Sequence, residues 1–145
     1  MNLMGHIFKY FITFLIIFTC CVDPPEYDDG LLENIPAVIN ETDYFSLSVM
    51  GLDYTEKQEW DLNLSTNVED ELLTTIIIKN LNISPSDSNF LQILDDEGDI
   101  IFAAGIFSNF NFTSMDSIQN IGLPGKIIFN ANNFTGNLDC QLILE

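Results

Sequence analysis

From Phe45 onward, apolar residues recur at every second position, a period that fits strands and not helices. Phe45, Leu47 and Val49 alternate with Ser46, Ser48 and Met50, and Trp60, Leu62 and Leu64 alternate with Glu59, Asp61, Asn63 and Ser65. Residues 74–83 form a β-branched run. Residues 90–94 and 100–107 flank the turn sequence Asp95-Asp96-Glu97-Gly98-Asp99, the pattern of a hairpin. Phe110 and Phe112 follow, then Ile127, Phe129 and Ala131 on one face, and Leu138, Cys140, Leu142 and Leu144 on another strand. The pattern predicts an all-β domain: a small antiparallel β-sandwich of about eight strands. No helix longer than two turns is expected, with single turns at most at residues 69–73 or 114–120.

The first 22 residues obey a different rule. They contain no acid, one lysine (Lys9) and the chain's single histidine (His6), and residues 10–22 are apolar except for Thr13 and Thr19. A short positive segment followed by an apolar run of this length reads as a signal peptide, since a membrane span needs about 20 apolar residues. An uncleaved N-terminal anchor is the alternative. The expected organisation is a signal peptide at residues 1–20, an acidic, proline-containing tether at 21–42 and the sandwich at 43–145. In the tether, Pro24-Pro25 favours extended geometry, and Asp23, Glu26, Asp28, Asp29 and Glu33 keep it solvated. Leu31, Leu32, Ile35, Val38 and Ile39 within it are expected to add a short strand or turn against the domain.

Phe18-Thr19-Cys20-Cys21, closing the apolar run, resembles a bacterial lipobox, in its looser form that of Bacteroidota lipoproteins. The resemblance implies a thiol alkylated by a diacylglyceryl group, with cleavage just before it. Cys21 is the expected lipidated residue, because it places small residues at the two preceding positions. Choosing Cys20 would put bulky Phe18 two residues before the cleavage site. Acids soon after the lipidated cysteine resemble the surface-export signals of such lipoproteins, which implies an outer-membrane protein displayed on the cell surface; a plain tether facing the periplasm is the alternative. Asp116-Ser117-Ile118 resembles the O-glycosylation motif of exported Bacteroidota proteins, with Ser117 as the acceptor.

Charge and composition exclude most chemistries. Four Lys+Arg against 22 Asp+Glu give a net charge of −18, and all four bases are lysines. Such a balance excludes an electrostatic nucleic-acid binder and disfavours docking on anionic lipid. Removing the signal removes Lys9 and no acid, taking the net charge from −18 to −19, and it also removes His6. A chain without His and Arg cannot build Ser-His-Asp or Cys-His catalysis, His metal ligation or an arginine clamp on phosphate. The expectation is a non-enzyme without a cofactor. Calcium is the one metal that acids alone could serve, and Asp95, Asp96, Glu97 and Asp99 are the candidates. Their spacing departs from the EF-hand, and a solvated hairpin tip is the simpler reading. Cys140, left unpaired, is expected to be a small buried hydrophobe. Five Asn-x-Ser/Thr sequons start at Asn40, Asn63, Asn82, Asn111 and Asn133; they would be glycan acceptors in a eukaryotic secreted protein and are incidental in a bacterial lipoprotein.

From Trp60 onward the order of features resembles a CUB-type β-sandwich. Trp60-Asp61-Leu62 stands for the family's Trp-x-Ile strand, residues 76–83 for its next long strand, residues 89–98 for its Tyr-Asp-x-Leu-x-Ile-x-Asp-Gly segment, and residues 125–129 and 137–144 for its last two strands. The family's paired cysteines are missing. Its calcium-binding Tyr-Asp position holds Ser88-Asn89, and its late Ser-Asp position holds Asn132-Asn133. The resemblance implies the sandwich architecture and no calcium residues.

These readings converge on an exported, lipid-anchored, non-catalytic β-sandwich module of the cell envelope, attached to the membrane through its lipid and contacting a protein or glycan partner, with no nucleic acid. Tyr44, Tyr54 and Phe110 would mark a contact site if exposed. The alternatives are a soluble secreted protein glycosylated at its sequons, and an acidic inhibitor or immunity lipoprotein directed at a basic enzyme, whose association the charge would speed.

Overall fold

The computed structural model describes residues 30–65, 67 and 69–145. The lipobox cysteines Cys20 and Cys21, His6, Lys9 and the tether acids up to Asp29 lie outside the described residues.

Nine strands form two antiparallel sheets: β1 (Ala37–Asn40), β2 (Tyr44–Tyr54), β3 (Lys57–Asp61), β4 (Glu71–Lys79), β5 (Phe90–Asp95), β6 (Ile100–Gly105), β7 (Phe110–Ser117), β8 (Pro124–Asn130) and β9 (Phe134–Leu144). A single helical turn, α1 (Ile118–Ile121), connects β7 to β8. The five-stranded sheet has the order β1-β2-β9-β4-β7, and the four-stranded sheet β3-β8-β5-β6. Apart from β1, each strand pairs with its mirror image about the β5–β6 turn: β5 with β6, β4 with β7, β3 with β8 and β2 with β9. Cross-pairs β4–β9 and β5–β8 complete the sheets. A long hairpin folded over itself in this way is a jelly roll.

The alternation seen in the sequence becomes the inside and outside of these sheets. Phe45, Leu47 and Val49 of β2, Leu138, Cys140 and Leu142 of β9, and Leu72, Ile76 and Ile78 of β4 are buried in one core with Leu91, Ile93, Ile127 and Phe129 of the other sheet. Phe129 meets Phe134 edge-on with ring centroids 5.4 Å apart. Phe102 of β6 and Phe112 of β7 touch at 4.9 Å and close one side of the sandwich. On the opposite side the device is polar. Asn40 Nδ2 donates to the Asp61 carbonyl at 2.8 Å, and the Asn63 N–H donates to Asn40 Oδ1 at 2.9 Å, tying the end of β1 to the chain leaving β3. Each fully buried aliphatic side chain contributes about 1.5–3 kcal/mol, so the core and not the few surface ion pairs holds the domain together.

Several local expectations shift. The described residues hold nine strands, the expected eight or so and the short strand expected around Val38 and Ile39. The last is β1, which pairs with β2 from Ala37↔Ser48 to Asn40↔Phe45 and brings the latter part of the segment read as tether onto the sheet. Asn34 strengthens the junction: its side chain donates to the Leu52 carbonyl and accepts from the Leu52 N–H. The strand expected through Leu64 ends at Asp61, because the chain then crosses to the other sheet, where the Ser65 N–H reaches the Thr42 carbonyl. The run 74–83 stops being a strand at Lys79, where Asn80 takes a left-handed φ of 53°. Of the helical candidates, Glu71–Leu73 belong to β4, while in 114–120 Ser114–Ser117 belong to β7 and residues 118–120 fall in α1, the one helical turn among the described residues.

Candidate functional site

The sequence pointed to the turn at the apex of the folded hairpin, and the structure explains its shape. Asp95 Oδ1 accepts from the Glu97 N–H at 3.0 Å and from the Asp99 N–H at 2.7 Å. The Asp95 N–H donates to the Asp99 carbonyl, and Gly98 supplies the φ of 90° that the turn requires. One carboxylate oxygen is thus committed to the backbone, while Asp96, Glu97 and Asp99 are exposed. Beside the turn lies a wide-open groove of about 510 Å³, lined by Asp61, Leu94, Asp95, Asp96, Glu97 and Lys126 among others. Lys126 Nζ stands 3.3 Å from Asp61 Oδ1 and 3.6 Å from Glu59 Oε2, and Lys57 pairs with Glu59 at 2.5 Å. The hydrogen bond to Asp61 holds the Lys126 ammonium above its ordinary pKa, and that from Lys57 holds the Glu59 carboxyl below its own. Both groups are exposed, so this is a solvated ion-pair strip. Among the described residues no three His, Cys, Asp or Glu side chains converge in a way that could hold a metal ion.

The opposite ends of β5 and β8 are closed by amides. Asn89, 2% exposed, accepts from the Asn132 N–H at 2.7 Å through Oδ1 and donates to the Asn132 carbonyl at 3.2 Å through Nδ2. The Asn89 carbonyl receives the Ile106 N–H, and Asn130 Nδ2 donates to the Ser88 carbonyl at 2.9 Å. Ser88-Asn89 and Asn132-Asn133, the two positions where CUB-type domains carry calcium-binding residues, therefore do meet in space. Asn89 and Asn132 meet as neutral groups that satisfy each other, while the Ser88 carbonyl is taken by Asn130 and Asn133 pairs with Thr55, and this donor set does not fit a cation. Sequence reasoning missed the clasp; its only signal was the density of asparagine at residues 130, 132 and 133.

The remaining candidates are dispersed. Ser117 is half-buried at the end of β7, facing Glu71 in register, with Ile118 buried beside it. Of the sequon asparagines, Asn40 and Asn63 are hydrogen-bonded to each other's backbone; Asn82, Asn111 and Asn133 are exposed on separate elements. Cys140 is a free thiol in the centre of the core, and burial pushes its pKa up to about 12. Tyr54 is buried and Phe110 packs against the core, so neither marks a contact site; Tyr44 is half-buried on the outer face.

Together these features define the class: an all-β, two-sheet jelly-roll domain. No family model matches the chain, and no curated protein matches it. Among solved structures it is similar to an RmlC-like cupin protein from Desulfovibrio desulfuricans, at 12% identity over 84% of this chain and 91% of that one, with a TM-score of 0.33. That likeness is too distant to carry any residue or activity across.

Proposed function

We propose that the chain is an exported, lipid-anchored, non-catalytic protein of the bacterial envelope that displays a jelly-roll interaction module. The observation that carries the reading is the lipobox-like Phe18-Thr19-Cys20-Cys21 at the end of an apolar run, only a short acidic stretch ahead of a domain whose own pairing begins near Leu32. Acyl chains on Cys21 hold the protein, the acids at 23, 26, 28 and 29 keep the connecting stretch in water, and the sandwich presents its sheet faces and loops to a partner. The outer-membrane location and surface display follow from the same segment. The absence of Arg from the whole chain, and of His beyond residue 6, supports a role without catalysis. Mass spectrometry of the protein recovered from its host tests the anchor. The expected N-terminal peptide begins at Cys21 and carries a diacylglyceryl mass. A peptide with unmodified Cys21 and Cys20, or one starting elsewhere, overturns it.

A further inference from the structure

Phe107 is the most exposed large apolar side chain among the described residues, at 72%. Leaving a phenylalanine in water forgoes the roughly 1.5–3 kcal/mol that burying it would contribute, and the local structure holds this one in place. Its ring folds back over Gly105, where a Cβ would overlap the ring, so only glycine permits the packing. The Cε2–Cζ edge of the ring thus occupies the space above Gly105, and most of the ring is left to solvent. In register, Gly105 lies opposite Phe90, and Phe90 lies opposite Asn130. Phe90 alternates with the buried Leu91 and Ile93, so it stands on the outer face, next to the site that the Phe107 ring fills. The next row is Gln92 beside Ala103, a small exposed residue that keeps the surface low.

We propose that this outer face of β5 and β6 is a binding site for a neutral carbohydrate, with the Phe107 ring as its stacking platform and Phe90 beside it. The electron-rich face of a phenyl ring suits the C–H face of a sugar ring. Two amides supply the polar rim: Asn130 Nδ2 holds Ser88 while its Oδ1 accepts no hydrogen bond from another described residue, and Gln92 makes no side-chain hydrogen bond to another described residue. The residues of these two rows on β5 and β6 are uncharged, the rows end on β3 at Lys57 and Glu59, which pair with each other, and a net charge of −18 repels an anionic ligand. The acids that would attract a cation cluster instead at the Asp95–Asp99 end. Two rings and two amides make a patch far below the roughly 1,200 Å² of a standard protein interface, which favours a small ligand over a protein surface. The inference names the partner class of the displayed module and so rests on that reading.

The test titrates the purified full chain with neutral gluco-, manno-, galacto- and xylo-oligosaccharides, and with oligogalacturonate as the acidic counterpart, by calorimetry and backbone-amide NMR. At least one neutral series is expected to bind and to shift the amides of Phe90, Gln92, Gly105 and Phe107. Phe107→Ala should weaken that binding about tenfold with an unchanged melting temperature, whereas Phe107→Tyr should retain it. Gly105→Ala, which displaces the ring, should weaken it as Phe107→Ala does. The proposal is overturned if no neutral series binds, if the acidic one binds better, if the shifts map elsewhere, or if Phe107→Ala binds as the parent does. None of these results depends on the N-terminus, so a failed anchor and a failed sugar site are told apart.

Discussion

The two ends of the β5–β8 pair solve the same problem with different chemistry. At one end Asn89 holds backbone groups of Asn132, 43 residues away, and is itself buried. At the other, Asp95 holds the amides of Glu97 and Asp99 within its own turn, in the open. Burial dictates the difference. A carboxylate taken out of water costs several kcal/mol unless paired with a cation, and Lys57, in register with Asn130, is paired with Glu59 at the surface, so the buried cap is a neutral amide. Water screens the exposed cap, which is free to carry charge. The rule that emerges concerns position and not function: a buried acceptor must be a neutral amide, whereas at the surface either will do, an acid at Asp95 and an amide at Asn34.

Substitutions at the two caps test that rule directly. Asn89→Asp keeps the shape, removes the donor to the Asn132 carbonyl and places a charge in a site that solvates it poorly. It should cost about 3 kcal/mol or more at pH 7 in urea unfolding. The buried carboxyl would have a raised pKa, so the loss should shrink as pH falls and the group is protonated. A variant as stable as the parent at neutral pH would break the comparison. Asn89→Ala leaves the Asn132 N–H without its acceptor and should cost about 2 kcal/mol.

Cys140 offers an independent measure of the interior. Burial pushes its thiol up to about 12, from an ordinary value of 9.0 that the unfolded chain should approach. An acid whose folded pKa is raised contributes stability that is intact below the unfolded value and is lost as pH rises toward the folded one. Between pH 9 and 10 the parent should therefore lose about 1 kcal/mol more than Cys140→Ala does, measured by urea titration at each pH. The same thiol should resist an aromatic disulfide reagent until the protein unfolds.

The exposed cap should matter least. Asp95→Ala removes an acceptor for two turn amides that water can partly replace, and about 1 kcal/mol or less is expected. Asp95→Asn keeps the acceptor and should change the thermal midpoint by no more than a degree or two, within about 0.5 kcal/mol. A larger loss for Asp95→Asn than for Asn89→Ala would invert the proposed order.

Sequence revealed what is local and concealed what is distant. The inward residues of β2, β8 and β9 could be read from alternation because one side of each strand is buried along its length, whereas β4 announced itself only as a β-branched run. The Asp95–Asp99 turn was visible because its acids and glycine are contiguous. β1 was only half visible, since a four-residue edge strand exposes both faces and shows no alternation. The Asn89–Asn132 clasp lay beyond reach, because its partners are placed by the pairing of β5 with β8 and by nothing near them in the chain. The Phe107 platform had a faint signal, a glycine two residues before an aromatic at a strand end, where both point to one face. Its meaning emerged only when the register placed Phe90 across from Gly105.

The mirror pairing also sets an order of assembly. The β5–β6 contacts join residues close in sequence, whereas the Ser48–Asp139 hydrogen bond between β2 and β9 spans 91 positions. β9 lies at the middle of the five-stranded sheet, between β2 and β4. A chain emerging N-terminus first therefore has no complete large sheet until residues 134–144 have appeared, and contacts of such separation form slowly. Until then the polypeptide lacks its central strand, a state that suits the export proposed above.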